Sequence, residues 1–298
     1  MDNALLIPIH GKKFNWLYLF LLSIPDYEID DLDFDIVLLV SNEKEKIQIS
    51  RAISCSLPQF KDNILFFDVY QFIESSLQHE KLLYRYINNI DRCIVNLKKF
   101  CAIYWAKKYY KNIAVIDCDS AFNKTTKGFF DCLFKNYQTR YYFGSSIESN
   151  ELCNNVLNHC AGFFNENLRE NISQLTNGFK CYPWFFDVPF YHVDDLNEFY
   201  DYFNSSEFDG DFWMAIEWES FEHIIYIYYL CLFKDASILD YSNCVRSVIP
   251  ETLLLTELNK IYYRYNYYPV WIRFRNVLNN PENVLTNQPK MFYHIDRL

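Results

Sequence analysis

Glycine is scarce in this chain: 298 residues contain only six. Neither G-x-G-x-x-G nor G-x-x-x-x-G-K-[ST] occurs, which excludes the glycine-built phosphate cradles of dinucleotide-binding and P-loop proteins. Basic excess is also missing. The formal charge is −10, so the footprint of a nucleic-acid binder is lacking and no nucleic-acid partner is expected. The local exceptions, Lys98-Lys99 and Lys107-Lys108, fall on an expected helix and read as solvated faces. The ten cysteines show no C-x-x-C spacing, which argues against structural zinc and a disulfide framework. Free, mostly buried thiols in a reducing compartment fit better. No apolar run is long enough to span a bilayer; the runs 14–24 and 224–233 stop well short of about 20 residues. With no signal-peptide pattern at the N-terminus, the expected setting is cytoplasmic, with a resting place at the inner face of a membrane through exposed aromatics.

What is present is apolar and aromatic. Hydrophobic residues make up 51% of the chain, aromatics 19%, with 25 Tyr and 27 Phe, enough for a sizeable core. The runs 4–9, 36–40 and 64–68 are unbroken rather than alternating, as strands of a parallel sheet covered on both faces should be. Helices are expected at 14–22, about 43–56 and 96–110, the last with Asn96 as its N-cap and Leu97, Phe100, Cys101 and Tyr104 as an apolar stripe. The stretch Asp26 to Asp35 reads as an acidic loop. Strands are expected at 113–119, 139–145 and 161–165, helices at 169–179 and 221–233, and a last strand near 291–297. The class is α/β, a mostly parallel, doubly wound sheet flanked by helices. With no repeat and no linker, one domain over 1–298 is expected, in two functional halves, about 1–120 and 121–298.

The stretch Ile113-Ala114-Val115-Ile116-Asp117-Cys118-Asp119 carries the chemistry. Successive side chains of a strand alternate in direction, so Asp117 and Asp119 project to the same side. Three other D-x-D triplets exist, Asp31/Asp33, Asp33/Asp35 and Asp209/Asp211, but these read as loop or turn. Only Asp117/Asp119 follows a helix and an apolar strand. Ligands of open α/β sheets gather beyond the carboxyl ends of strands, and two same-side carboxylates there suit a divalent cation with a phosphate-bearing substrate.

Two enzyme classes place D-x-D after an apolar strand. A haloacid-dehalogenase-type phosphatase wants Thr or Val two residues beyond the second Asp, where this chain has Ala121. It also opens its first strand with the motif, whereas strands precede it here, and only Asp194-Asp195 offers a further acidic pair. The other class is the GT-A glycosyltransferases. The order of elements over about 4–165, with Asp117-Cys118-Asp119 at mid-chain, resembles that family. Leu97-Lys98-Lys99-Phe100, the aromatic segment 182–189 and Tyr293-His294-Ile295-Asp296-Arg297 are similar to uncharacterised bacterial glycosyltransferase-like proteins of surface-polysaccharide loci.

That resemblance implies a metal-dependent transferase taking a nucleotide-sugar donor, a UDP-sugar favoured, to a glycan or lipid-linked acceptor. Asp119 would bind Mn²⁺ or Mg²⁺ directly, and Asp117 would contact the ribose, or the metal through water. A late histidine completes many such sites: His294 is preferred, with His192 and His159 as rivals. Pro8, His10, Ser41 and Asn42 would wall the donor base. Lys98 or Lys99, and Arg297, would reach the phosphates. Glu219 and Glu222 are joint candidates for the base that an inverting reaction needs, and Asp187 is a third. Tyr182, Trp184, Phe185 and Trp213 offer rings for an acceptor sugar. Two rival functions stand beside this one, the D-x-D phosphatase and a glycan-binding module whose catalytic site has decayed.

Overall fold

The computed structural model describes residues 1–118, 120–122, 125–144, 151–175, 188–205, 208, 210–240 and 292–294. Its first half runs β1 (Asn3–Pro8), α1 (Phe14–Leu22), β2 (Asp35–Val40), α2 (Glu43–Ser56), β3 (Ile64–Asp68), α3 (Val69–Phe72), α4 (Glu80–Ile87), α5 (Ile94–Ala106) and β4 (Asn112–Val115). Beyond come β5 (Ser120–Phe122), α6 (Phe129–Tyr137), β6 (Tyr141–Gly144), α7 (Glu151–Ala161), α8 (Glu166–Leu175), β7 (Phe190–His192), α9 (Val193–Asn204), α10 (Phe212–Ala215), α11 (Glu222–Phe233), β8 (Ser237–Asp240) and β9 (Phe292–His294).

The apolar runs form a five-stranded sheet of order β3-β2-β1-β4-β7. The first four strands are parallel, and β7 is antiparallel to β4. This is a mixed sheet flanked by helices, with the expected parallel part at its centre. Ala4, Leu5, Leu6 and Ile7 of β1 are fully buried; each large aliphatic side chain so placed contributes about 1.5–3 kcal/mol. The chain steps from β1 to β2 to β3 in one direction, then returns across the sheet to β4. Right-handed crossovers then place α2 and α5 on opposite faces. Two small pairings lie outside the main sheet, β5 with β9 antiparallel and β6 with β8 parallel.

Several expectations need correction. The acidic stretch is a 3₁₀ helix over Asp26–Asp31, because Glu28 is buried and serves as an anchor. Its carboxylate accepts from Thr125 Oγ1 at 2.6 Å, Thr126 N at 2.7 Å and Thr126 Oγ1 at 2.8 Å. Asn96 is not an N-cap: α5 begins two residues earlier, after Cys93. The run 161–165 is no strand but the end of α7 and a tight turn. A Cβ on Gly162 would stand 2.9 Å from the His159 carbonyl oxygen. Phe163 and Phe164 are core residues supplied by that turn, against Phe203. Lys98 and Lys99 are buried, not solvated, since α5 lies between the sheet and α10–α11. Eight cysteines are free thiols among the described residues, in line with the expectation. Among the described residues no helix is long and apolar enough to cross a membrane.

Candidate functional site

The sheet reverses its winding between β1 and β4, so the crevice beyond their carboxyl ends is where a ligand belongs. Pairing runs past the end of β4, where Ile116 N donates to Leu6 O at 3.1 Å. Asp117 is the next residue. Continuing the Leu6–Val115 register, Asp117 stands level with Pro8. Its side chain is 34% exposed. The first turns of α5 reach the same edge, because a crossover helix starts where the preceding strand ends. Asp117, Pro8, His10, Ser41, Asn42, Lys98 and Lys99 are therefore brought to one edge.

The ends of β1 and β2 are fastened together from below. Asn42 caps α2 by accepting from Glu45 N at 3.1 Å. The Glu45 carboxylate then accepts from Ser41 N at 2.7 Å and Gly11 N at 2.9 Å. Lys98 Nζ donates to Ile9 O at 2.7 Å and lies 3.3 Å from Glu45 Oε2. The Lys98 ammonium is thus engaged with the strand-end loops beneath the crevice. Ser41 O accepts from Tyr70 N at 3.3 Å and Tyr86 Oη at 3.2 Å, while His10 Nδ1 accepts from Lys12 N at 3.2 Å. Glu45 was not anticipated from sequence, although Asn42-x-x-Glu45 has capping-box spacing.

Burial would raise the Glu45 pKa, but the Lys98 charge and the Ser41 and Gly11 amides outweigh it and hold the group below its ordinary value. A depressed carboxyl stabilises the fold above its unfolded pKa of about 4.3 and loses that contribution as pH falls through the lower folded value. Glu28 and Asp195 are depressed in the same direction. Burial opposes the shift in both and is outweighed by Thr125 and Thr126 at Glu28 and by Tyr137, Arg140 and Lys234 at Asp195. Melting temperature is expected to fall steeply below about pH 4, with a shallower acid slope in Glu45→Gln. Parallel melts of the two proteins from pH 7 to 3 check this; equal slopes would remove Glu45 from the account.

A second buried ion group lies directly under Asp117. Lys99 Nζ is 3.3 Å from Asp117 Oδ1 and 3.6 Å from Glu222 Oε1. Burial would lower the lysine pKa, but the two carboxylates outweigh it and hold the ammonium above its ordinary value, hence charged. Burial pushes Glu222 up against the pull of Lys99. Next to it, burial and then the Lys99 charge push His223 down to about 3, so its imidazole is neutral.

This arrangement corrects one expectation about the base. Glu222 has a side chain 1% exposed and turned toward Lys99, so an acceptor hydroxyl does not reach it. Its joint candidate Glu219 is half-buried, on a loop fastened to the start of α5. There Asn96 Nδ2 donates to Glu217 O at 2.8 Å and Trp218 O at 2.7 Å. His159 Nε2 meets Ser220 Oγ of that loop at 2.8 Å, so this histidine shapes the loop.

Of the histidine candidates, His294 lies on a strand that pairs next to Asp119 in sequence. In β5–β9 it pairs with Ser120, the residue after Asp119. His192 pairs with Asn112 at the amino end of β4, the far edge of the sheet from Asp117. Asp194 and Asp195 follow there as well. Asp195 is held by Tyr137 Oη, by Arg140 Nη2 at 2.6 Å and by Lys234 Nζ at 3.4 Å, so the acidic pair a phosphatase would want is at the far edge of the sheet from Asp117, with Asp195 engaged. Trp213 stacks on Tyr200 at 6.2 Å between ring centroids, inside an aromatic cluster. Asp119, Asp187, Arg297, Tyr182, Trp184 and Phe185 lie outside the described residues, as does the side chain of His294. Among the described residues no group of three His, Cys, Asp or Glu could hold a metal ion.

No family model matches the chain, and no curated protein matches it. Among solved structures, it is similar to residues 1–349 of S. aureus TarS, with TM-score 0.37 and 12% identity, covering 81% of this chain and 58% of that one. It is also similar to mouse xyloside xylosyltransferase 1 in its apo form, with TM-score 0.43 and 11% identity, covering 99% of this chain and 97% of that one.

Proposed function

We propose that this chain is a metal-dependent, GT-A-type glycosyltransferase. It moves a sugar from a nucleotide-sugar donor, a UDP-sugar favoured, to a glycan or lipid-linked acceptor in the building of a bacterial surface polysaccharide. One observation carries the reading. At the winding reversal of the sheet, β4 delivers a half-exposed Asp117, and β9 brings the backbone of His294 into register beside the residue after Asp119. Residues 1–120 hold the donor and the remainder the acceptor.

The residues fit a hard divalent cation such as Mn²⁺ or Mg²⁺: an accessible carboxylate at a strand end, a second two residues on, and a histidine from the returning strand. Asp119 and His294 would hold the ion, with Asp117 on the ribose or on a metal-bound water. Bound there, a cation would neutralise charge that develops on the departing diphosphate. The strand ends at Pro8, His10, Ser41 and Asn42 shape the wall for the nucleotide base, and Lys98 keeps that wall fixed through Ile9 and Glu45. Glu219, half-buried on the loop that leads into α11, would take the proton from an acceptor hydroxyl.

Titration calorimetry with UDP, with and without Mn²⁺, tests the proposal. UDP is expected to bind only when Mn²⁺ is present, and at about 100 times its Kd to stabilise the fold by about 2.7 kcal/mol in a thermal melt. No UDP binding in either condition would sink it. Metal-dependent phosphate release from a simple ester without UDP binding would favour the phosphatase. Glycan binding with neither activity would favour the decayed module.

A further inference from the structure

Glu222 is the least explained charge in the molecule. Its side chain is 1% exposed. Neither carboxylate oxygen has a hydrogen-bond partner among the described residues. Its charge partner is Lys99 at 3.6 Å, an ion-pair distance longer than a hydrogen bond. A buried carboxylate so poorly satisfied is costly, and a hydrophobic residue would fill the start of α11 at less cost. The same Lys99 ammonium lies 3.3 Å from Asp117 Oδ1. An ammonium and a cation-bound water compete for the same carboxylate. A Lys99 held on Asp117 would therefore oppose the hydrated ion that the site is proposed to bind.

We propose that Glu222 is a positioning residue that receives the Lys99 ammonium when the hydrated cation of the donor engages the Asp117 carboxylate through its bound water. This rests on the proposed function, since it presumes that contact at Asp117. The unfilled hydrogen-bond capacity of Glu222 is what makes the transfer favourable: a shift of about 0.8 Å toward it converts the 3.6 Å contact into a charge-assisted hydrogen bond at about 2.8 Å. Lys99 stays buried and paired throughout, so the site gains a cation without leaving an ammonium unpaired in the core. Glu222 touches neither substrate nor metal and acts through Lys99.

Mn²⁺ affinity in the presence of UDP, read from the paramagnetic resonance signal of free Mn²⁺, tests this without any turnover. Glu222→Gln removes the receiving charge, and its Mn²⁺ affinity is expected to be about tenfold weaker than wild type, within the usual range of coupling between linked sites. Lys99→Met combined with Glu222→Gln removes the competitor as well, and affinity is expected to return to within about twofold of wild type. A merely structural Glu222 would move stability and not Mn²⁺ affinity, so it predicts a folded Glu222→Gln that melts lower and binds Mn²⁺ as wild type does. If Glu222→Gln fails to fold, the double variant still decides: Mn²⁺ affinity far below wild type in a folded double variant would overturn the proposal. Unchanged affinity in a folded Glu222→Gln would overturn it alone. Absence of Mn²⁺-dependent UDP binding in the wild-type protein would overturn the proposed function and this inference with it.

Discussion

Lys99→Met is expected to destabilise the protein by about 2–4 kcal/mol at pH 7, and adding Glu222→Leu to restore most of that loss. The ammonium lies 3.3 Å from Asp117 and 3.6 Å from Glu222. Asp117 is partly exposed and can turn to water when its partner is lost. Glu222 cannot, because it is buried at the first turn of α11 among apolar neighbours. It must remain charged and unpaired or take up a proton. Protonation sets the ceiling: at pH 7, against an unfolded pKa of about 4.3, it costs about 3.7 kcal/mol. The sign with pH follows. In Lys99→Met the folded state keeps its proton on Glu222 while the unfolded state releases it above about pH 4.3, so the deficit grows as pH rises and shrinks toward pH 5. Replacing both partners by apolar residues removes the penalty, since a buried ion pair contributes little net stability over a packed hydrophobic pair. Urea melts of wild type, single and double variants at pH 5 and pH 7 check each step. A single variant as stable as wild type at pH 7, or a double variant no better than the single, would refute the account.

The parallel core was legible because its signal is local. Unbroken runs such as Ile36 to Val40 and Ile64 to Asp68 read as strands of a parallel sheet, and they are β2 and β3 almost residue for residue; of the two, only β2 is covered on both faces, since Leu65 of the edge strand β3 is exposed. The same holds for α1 and α2, whose lengths follow from where apolar residues begin and end. What failed depends on partners distant in sequence. The three residues of β5 carry no period of their own and form a strand because β9 arrives from about 170 residues later. Lys98 and Lys99 look like any solvated pair until Glu45, Asp117 and Glu222 are placed beside them. Asn96 has the chemistry of an N-cap, yet its amide is spent on carbonyls of the 217–220 loop. The preference for His294 over His192 came from its place in a short apolar stretch; in the backbone His294 pairs with Ser120 and His192 with Asn112.

Asp119→Ala is expected to lower kcat/KM for the nucleotide-sugar donor by about a thousandfold or more, whereas Asp117→Asn lowers it by about 10- to 100-fold. In an extended strand the two carboxylates would share a side, so sequence alone gives them equal standing; in the structure β4 ends at Val115 and Asp117 lies beyond it. The contacts of Asp117 set it apart. Asp117 is already paired through Oδ1 with a buried, charged Lys99, so part of its charge is compensated before any cation arrives. Its proposed contacts, to ribose or to a metal-bound water, survive in part when an amide of the same shape replaces the carboxylate. Asp119 is proposed to touch the ion itself, and alanine offers nothing in its place. The variants should therefore respond differently to added Mn²⁺. Raising its concentration tenfold should recover much of the Asp117→Asn loss, which is one of affinity, and little of the Asp119→Ala loss. Asp117→Asn should also fold with near wild-type stability, because Lys99 keeps Glu222 as its partner. Donor kinetics across an Mn²⁺ series, with thermal melts of both variants, decide the matter. Equal losses with equal recovery would mean that the two carboxylates share the ion, and the division of roles would be abandoned.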